Sequence, residues 1–189
     1  MKRRAIVSVI GDAGAEEGFA PYDLAREVGK GLVDAGFRVM TGGLGGVMEA
    51  ASRGAHESAA YREGDTIGIL PHADPSQANP WVDIPIPTGL DHARNAIVAN
   101  ADAVIAIGGG AGTLAEMAFA WIYRRLVIGI EISGWSGELG DRRIDGRIRQ
   151  ADVPEDRVFR ARTAEDAVKL VIEHLPRYAS RHRGFRFQG

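Results

Sequence analysis

The 189 residues contain no cysteine, which excludes disulfides, thiolate metal centres and a cysteine nucleophile together. Lysine is nearly as scarce, occurring at Lys2, Lys30 and Lys169 against twenty arginines. No Gly-Lys-Ser/Thr triplet is present, so the loop in which a lysine reaches the β- and γ-phosphates of a nucleotide triphosphate is missing. Long apolar stretches are missing as well. The run behind the basic start Met1-Lys2-Arg3-Arg4 stops at Gly11-Asp12, too short for a signal-peptide core or a membrane span, and a cytoplasmic protein with no membrane partner is expected. Charge of one sign is also lacking: a formal net charge of −2 argues against a surface built throughout for nucleic acid. The five histidines (His56, His72, His92, His174, His182) show no ligand spacing, so neither a metal nor a required cofactor is expected.

Glycine, by contrast, is abundant: 25 of 189 residues, nearly twice the ordinary share. Its placement follows the rhythm of the chain. Ala5-Ile-Val-Ser-Val-Ile10 reads as a buried strand running into Gly11. Pro21 then opens a helix with Leu24, Val28 and Leu32 on one face, closed by Gly36. Phe37 to Met40 is a second strand, followed by Thr41-Gly-Gly-Leu-Gly-Gly46 and a helix carrying Val47, Met48, Ala51 and Ala55. Thr66 to Leu70 is a third strand; the proline-rich residues 72–88 read as loop with a short edge strand near Val82 to Ile86. A helix is expected over 91–100, a strand at Ala103 to Ile107, and a helix over 113–124. A strand at Leu126 to Ile130, surface loop over 133–149, a strand at Val158-Phe159 and a helix over 163–175 complete the reading.

Strands alternating with helices along the whole length predict an α/β fold: a Rossmann-like doubly wound parallel sheet in three α/β/α layers, forming one domain. That domain is assigned to residues 1–178. Residues 179–189, basic and aromatic, form a tail expected to be loose or to pack on a neighbouring subunit.

In such a sheet, ligands bind beyond the carboxyl ends of the strands, where helix N-termini present unpaired N–H groups. Eight of the glycines lie in two turns of this kind, Gly42 to Gly46 and Gly108 to Gly112. At the second turn, free N–H groups and the Thr113 hydroxyl are suited to phosphate oxygens. A purely structural reading also exists, because Thr113-x-x-Glu116 fits a capping box. A dinucleotide reading competes too: Gly110-x-Gly112-x-x-Ala115 is a degenerate fingerprint, and Glu131, 21 residues beyond Gly110, stands where a ribose-binding acid belongs. Upstream, Arg94 begins the segment feeding the strand that ends at Gly108, and its planar fork suits phosphate. Glu116 lies one turn past Gly112 on the same helix face.

The run Gly109-Gly-Ala-Gly-Thr113-x-x-Glu116, preceded by Arg94 and by Ala101-Asp-Ala103, resembles the Pro-Gly-Gly-x-Gly-Thr-x-x-Glu signature of the Lonely Guy (LOG) proteins. These are Rossmann-like phosphoribohydrolases of cytokinin nucleoside 5′-monophosphates, often mislabelled lysine decarboxylases. Val9-Ile-Gly11, Thr41-Gly-Gly-Leu-Gly-Gly-Val-Met48 and Ile67-Gly-Ile-Leu-Pro71 extend the likeness over most of the chain. Gly108 stands where the signature has proline, Asn95 stands where a lysine usually follows the arginine, and the Gly42 turn is closer to the molybdenum-cofactor-carrier branch. Gly43, Gly45, Gly46 and Gly108, in the same two turns, are expected to contact the ligand from their position beyond the strand ends. The resemblance implies that Gly109, Gly110, Gly112 and Thr113 bind the ligand's 5′-phosphate, with Arg94 and Glu116 as the catalytic pair of a hydrolase. The ligand would be a small nucleotide or a molybdopterin-type molecule, either carried unchanged or, as the alternative, cleaved to base and ribose 5-phosphate. A homodimer or homotetramer is implied as well. Lysine decarboxylation is excluded, since no lysine is placed to hold pyridoxal phosphate.

Overall fold

The computed structural model describes residues 3–178, and the tail assigned to 179–189 lies outside them. Seven parallel strands form one sheet in the order β4-β3-β2-β1-β5-β6-β7. They are β1 (Ile6–Gly11), β2 (Arg38–Thr41), β3 (Thr66–Leu70), β4 (Ile84–Pro87), β5 (Ala103–Ile107), β6 (Leu126–Ile130) and β7 (Phe159–Ala161). β5 and β6 are buried along their whole length, as a parallel sheet covered on both faces requires.

Side chains alternate between the two faces. Val7 and Val9 of β1 join Ile105 and Ile107 of β5 beneath α1 (Ala20–Asp34), α2 (Val47–His56) and α6 (Ala164–His174). Ile10, Val104 and Ala106 face the opposite layer of α3 (Asn95–Val98), α4 (Ala111–Ile122) and α5 (Trp135–Leu139), where Met117 and the fully buried Trp121 fill the core. On that second face Ser8 is buried but satisfied, its hydroxyl donating to the Val98 carbonyl at 2.6 Å. The three-layer doubly wound sheet is therefore as the sequence predicts.

The proline-rich segment supplies β4 at the sheet edge, paired only to β3; Pro85 and Pro87 lack the N–H a central strand would need. Residues 91–100 form a 3₁₀ turn (Asp91–Arg94) leading into the short α3 rather than one helix. The expected surface loop over 133–149 contains α5, and the reason is a buried hydroxyl rather than apolar periodicity. Ser136 Oγ donates to the Ile130 carbonyl and accepts the Gly108 N–H, both at 2.7 Å, which pins this segment under the Gly108 turn. No helix among the described residues is long and apolar enough to cross a membrane.

The strand order reverses between β1 and β5. The chain winds outward from β1 through β2 and β3 to β4, then returns to lay β5 on the other side of β1. The crevice beyond the carboxyl ends of β1 and β5 is where a doubly wound sheet leaves room for a ligand.

Candidate functional site

That crevice holds a cavity of about 390 Å³. The loop after β1 contributes Asp12 and Ala13, the turn after β2 contributes Gly42 and Leu44, and Pro71 and His72 follow β3. On the far side stand Arg94 and Asn95, and the floor is the N-terminal end of α4, with Gly110, Gly112 and Thr113 at its start and Glu116 one turn on. Arg94 and Glu116, more than twenty residues apart in sequence, thus share one enclosure.

The N-terminus of α4 is open. Its first intrahelical bond runs from the Leu114 N–H to the Gly110 carbonyl at 3.0 Å, and no side chain caps it. The N–H groups of Ala111, Gly112 and Thr113 are therefore left for solvent or a ligand. A Cβ at Gly110 or Gly112 would meet nothing within 4 Å, so at these two positions glycine leaves open space beside the helix end. The capping box of the alternative, purely structural reading of Thr113-x-x-Glu116 does not form. The helix starts two residues earlier than expected, at Ala111, which places Thr113 inside its first turn, buried, and turns Glu116 toward the cavity.

The remaining glycines of the two turns play other parts. Gly108 gives its N–H to Ser136. Gly109, at φ +82°, lies so close to Thr113 that a Cβ would come 2.1 Å from its Oγ1. Gly43 packs on Leu70 and Gly68, and Gly46 on the backbone of Asp12 and Ala13. None of these four lines the cavity, nor does Gly45. They shape turns, while Gly42 and Leu44 face the crevice. Gly42 makes room for the arginine. A Cβ there would fall 2.0 Å from Arg94 Nη1 and 2.6 Å from Cζ, so the guanidinium occupies the space a side chain would fill.

Arg94 is buried, with 9% of its surface exposed, and its Nη1 has no hydrogen-bond partner among the described residues. Burial lowers its pKa and the charge of Glu116 opposes that. Glu116 is 7% exposed. Its carboxyl is pushed up to about 7 by burial, with Arg94 pulling the other way. No hydrogen bond or ion pair joins the two side chains. A buried donor without an acceptor costs on the order of 1–3 kcal/mol, so an arginine held this way fits a ligand that brings its own anionic oxygen. Glu131, the acid of the dinucleotide reading, is elsewhere: it is paired with Arg160 and Arg162 beside β7, which removes the ribose contact that reading requires.

Asp12, Pro71 and His72 were not legible as site residues. Each follows a strand, and only the strand order, which no local pattern reveals, brings those strand ends to α4.

Comparison with known proteins bears on the family and the fold. The family model described as the SLOG cluster4 family matches residues 4–168. The chain belongs to the SLOG cluster4 family. Among solved structures, this SLOG cluster4 chain is similar to the molybdenum cofactor binding protein of Rippkaea orientalis, with TM-score 0.74 and 32% identity over 92% of this chain and 98% of that one. It is also similar to the molybdenum cofactor carrier protein of Chlamydomonas reinhardtii, with TM-score 0.73 and 29% identity over 92% and 99% of the two chains. An uncharacterized protein of Archaeoglobus fulgidus is 39% identical over 115 residues, 60% of this chain and 72% of that protein. The LOG-like and carrier-like resemblance read around residues 109–116 thus leads to the right superfamily.

Proposed function

We propose that the protein binds and carries a small phosphorylated ligand of the nucleotide or pterin type, its phosphate seated on the first turn of α4 and against Arg94. The observation that carries this reading is the unpartnered Nη1 of Arg94, buried in the same cavity as the uncapped end of α4. Together they offer a planar cation and three backbone donors to one anion. The Thr113 hydroxyl adds a fourth donor, and Gly110 and Gly112 let the ligand approach the backbone. The relatives from Rippkaea orientalis and Chlamydomonas reinhardtii, described as binding or carrying molybdenum cofactor, support carriage of a phosphorylated pterin.

A second reading is hydrolysis of a nucleoside 5′-monophosphate at its N-glycosidic bond. It is favoured by the placement of Glu116, a carboxyl that titrates near neutrality one turn from the phosphate seat. In its ionised form such a group stabilises an oxocarbenium-like sugar and orients the attacking water.

One experiment separates the two. Native mass spectrometry of the purified protein identifies a co-purifying ligand, and incubation with nucleoside monophosphates shows whether free base appears. Saturable binding without product, weakened by Thr113→Val, agrees with carriage. Release of base that Glu116→Gln abolishes contradicts carriage and establishes the hydrolase. Homo-oligomeric assembly in the cytoplasm belongs to the same reading. Ile97 on α3 and Ile122 on α4 are left 42% and 54% exposed, and light scattering should report a dimer or tetramer; a monomer would refute this part.

A further inference from the structure

Within the proposed site, two buried charges are left unsatisfied by one another. Among the described residues, Arg94 Nη1 lacks an acceptor and the Glu116 carboxyl receives no hydrogen bond. Glu116 lies three residues beyond Thr113 and four beyond Gly112, so it shares their helix face and stands one turn from the phosphate seat. An ionised carboxylate at that point would repel a phosphate. A protonated one supplies an O–H donor to it.

We propose that Glu116 engages the bound phosphate as a neutral acid, donating a hydrogen bond, so that loading the cavity takes up one proton and a rise in pH empties it. This rests on reading the cavity as a phosphate site. The surroundings of Glu116 favour it. Arg94 is the buried charge that faces it. The other charged or titratable groups around it are Asp12 beyond β1, His72 beyond β3, Asp91 and His92 in the 3₁₀ turn, and Glu138 on α5. All five are exposed, where water and salt screen them. The flanking elements β1, α3, β5 and β6 carry no charged residue. Burial therefore dominates, and it raises the carboxyl to about 7 before any ligand arrives. A second negative group seated nearby can only raise it further. A neutral Glu116 also fits holding rather than cleaving, since it offers no charge to an oxocarbenium ion.

Calorimetric titration of the full chain with AMP and with GMP at pH 8 tests this, in two buffers of different ionisation enthalpy. The second phosphate pKa lies near 6, so both nucleotides stay dianionic and any proton taken up is the protein's. The expected result is uptake approaching one proton per nucleotide, with Kd rising about tenfold per pH unit above 7.5. In Glu116→Gln the uptake disappears, the pH dependence flattens and binding at pH 8.5 is at least tenfold tighter than in the wild type. Nucleotide binding by the wild type with no proton uptake and a pH-independent Kd overturns the proposal while leaving the phosphate site standing. Failure of the wild type to bind either nucleotide at pH 6 and pH 8 overturns the site and the proposal together. Because the wild-type proton count is decisive alone, the test does not depend on the variant folding.

Discussion

At the scale of single residues, Arg94, Glu116 and Gly42 meet in the lining of the crevice, and each makes the proposed function testable. Removing the guanidinium in Arg94→Met deletes a charge-assisted contact worth about 1.5–3 kcal/mol, so affinity for a nucleoside monophosphate should fall about 10- to 100-fold in calorimetry. Gly42→Ala makes a finer test. Its methyl would displace the far end of a flexible side chain rather than backbone, so melting should change little while nucleotide affinity drops about tenfold; unchanged affinity would show that the position of the guanidinium is immaterial. Glu116 also links stability to pH. Its folded pKa of about 7 stands above the ordinary 4.5, so the native state retains a proton that the unfolded chain has released in that window. Its contribution is full below about pH 4.5 and is lost as pH rises through 7, a change of about 3 kcal/mol. Glu116→Gln should therefore gain roughly 5–10 °C in Tm relative to the wild type between pH 5 and pH 8, and a constant difference across that range would contradict the assignment. None of these three roles is visible in composition. That Arg94 and Glu116 share the cavity was legible through the spacing they have in common with the LOG signature, whereas the part of Gly42 was not, because it lies in the room left for the Arg94 guanidinium.

At the scale of elements, the strands were the legible part. Buried parallel strands announce themselves as short apolar runs, and β3, β5 and β6 lie where those runs are. The start of α4 was not legible. Thr113 is a strong N-cap residue type, yet the helix begins at Ala111 with an uncapped end, and a preference for satisfied termini misleads where the terminus is left open to a cavity. The short helix α5 inside the expected 133–149 loop was missed for another reason, since Ser136 anchors it through polar contacts that leave no periodic trace. The C-terminal elements depend on a buried ion pair. Arg149 is bidentate to Asp156 at 2.6 and 2.9 Å, lies 3.5 Å from the centre of the Trp121 ring, and Tyr178 donates to Asp156 at 2.6 Å. Asp156→Ala would leave the guanidinium buried without its counter-ion, held only by the Trp121 and Arg125 carbonyls, so urea unfolding should show a loss of about 3–5 kcal/mol. A loss below about 1 kcal/mol, the range of an exposed pair, would show that this one is dispensable.

At the scale of the molecule, what matters is the reversal of strand order. It places the exits of β1 and β3 and the turn after β2 opposite the N-terminus of α4, and so assembles one cavity from segments spread along much of the chain. Alternating strands and helices make the doubly wound class legible, but the residues meeting across the crevice follow from topology, which a one-dimensional pattern carries only in outline. We propose that this crevice, through the first turn of α4, is where a phosphorylated ligand sits. Amide NMR during titration with AMP or GMP addresses it most directly. The largest shifts are expected at Gly110, Ala111, Gly112 and Thr113, together with their loss in Arg94→Met; saturable shifts centred on another surface, such as the groove between α1 and α6, would contradict it.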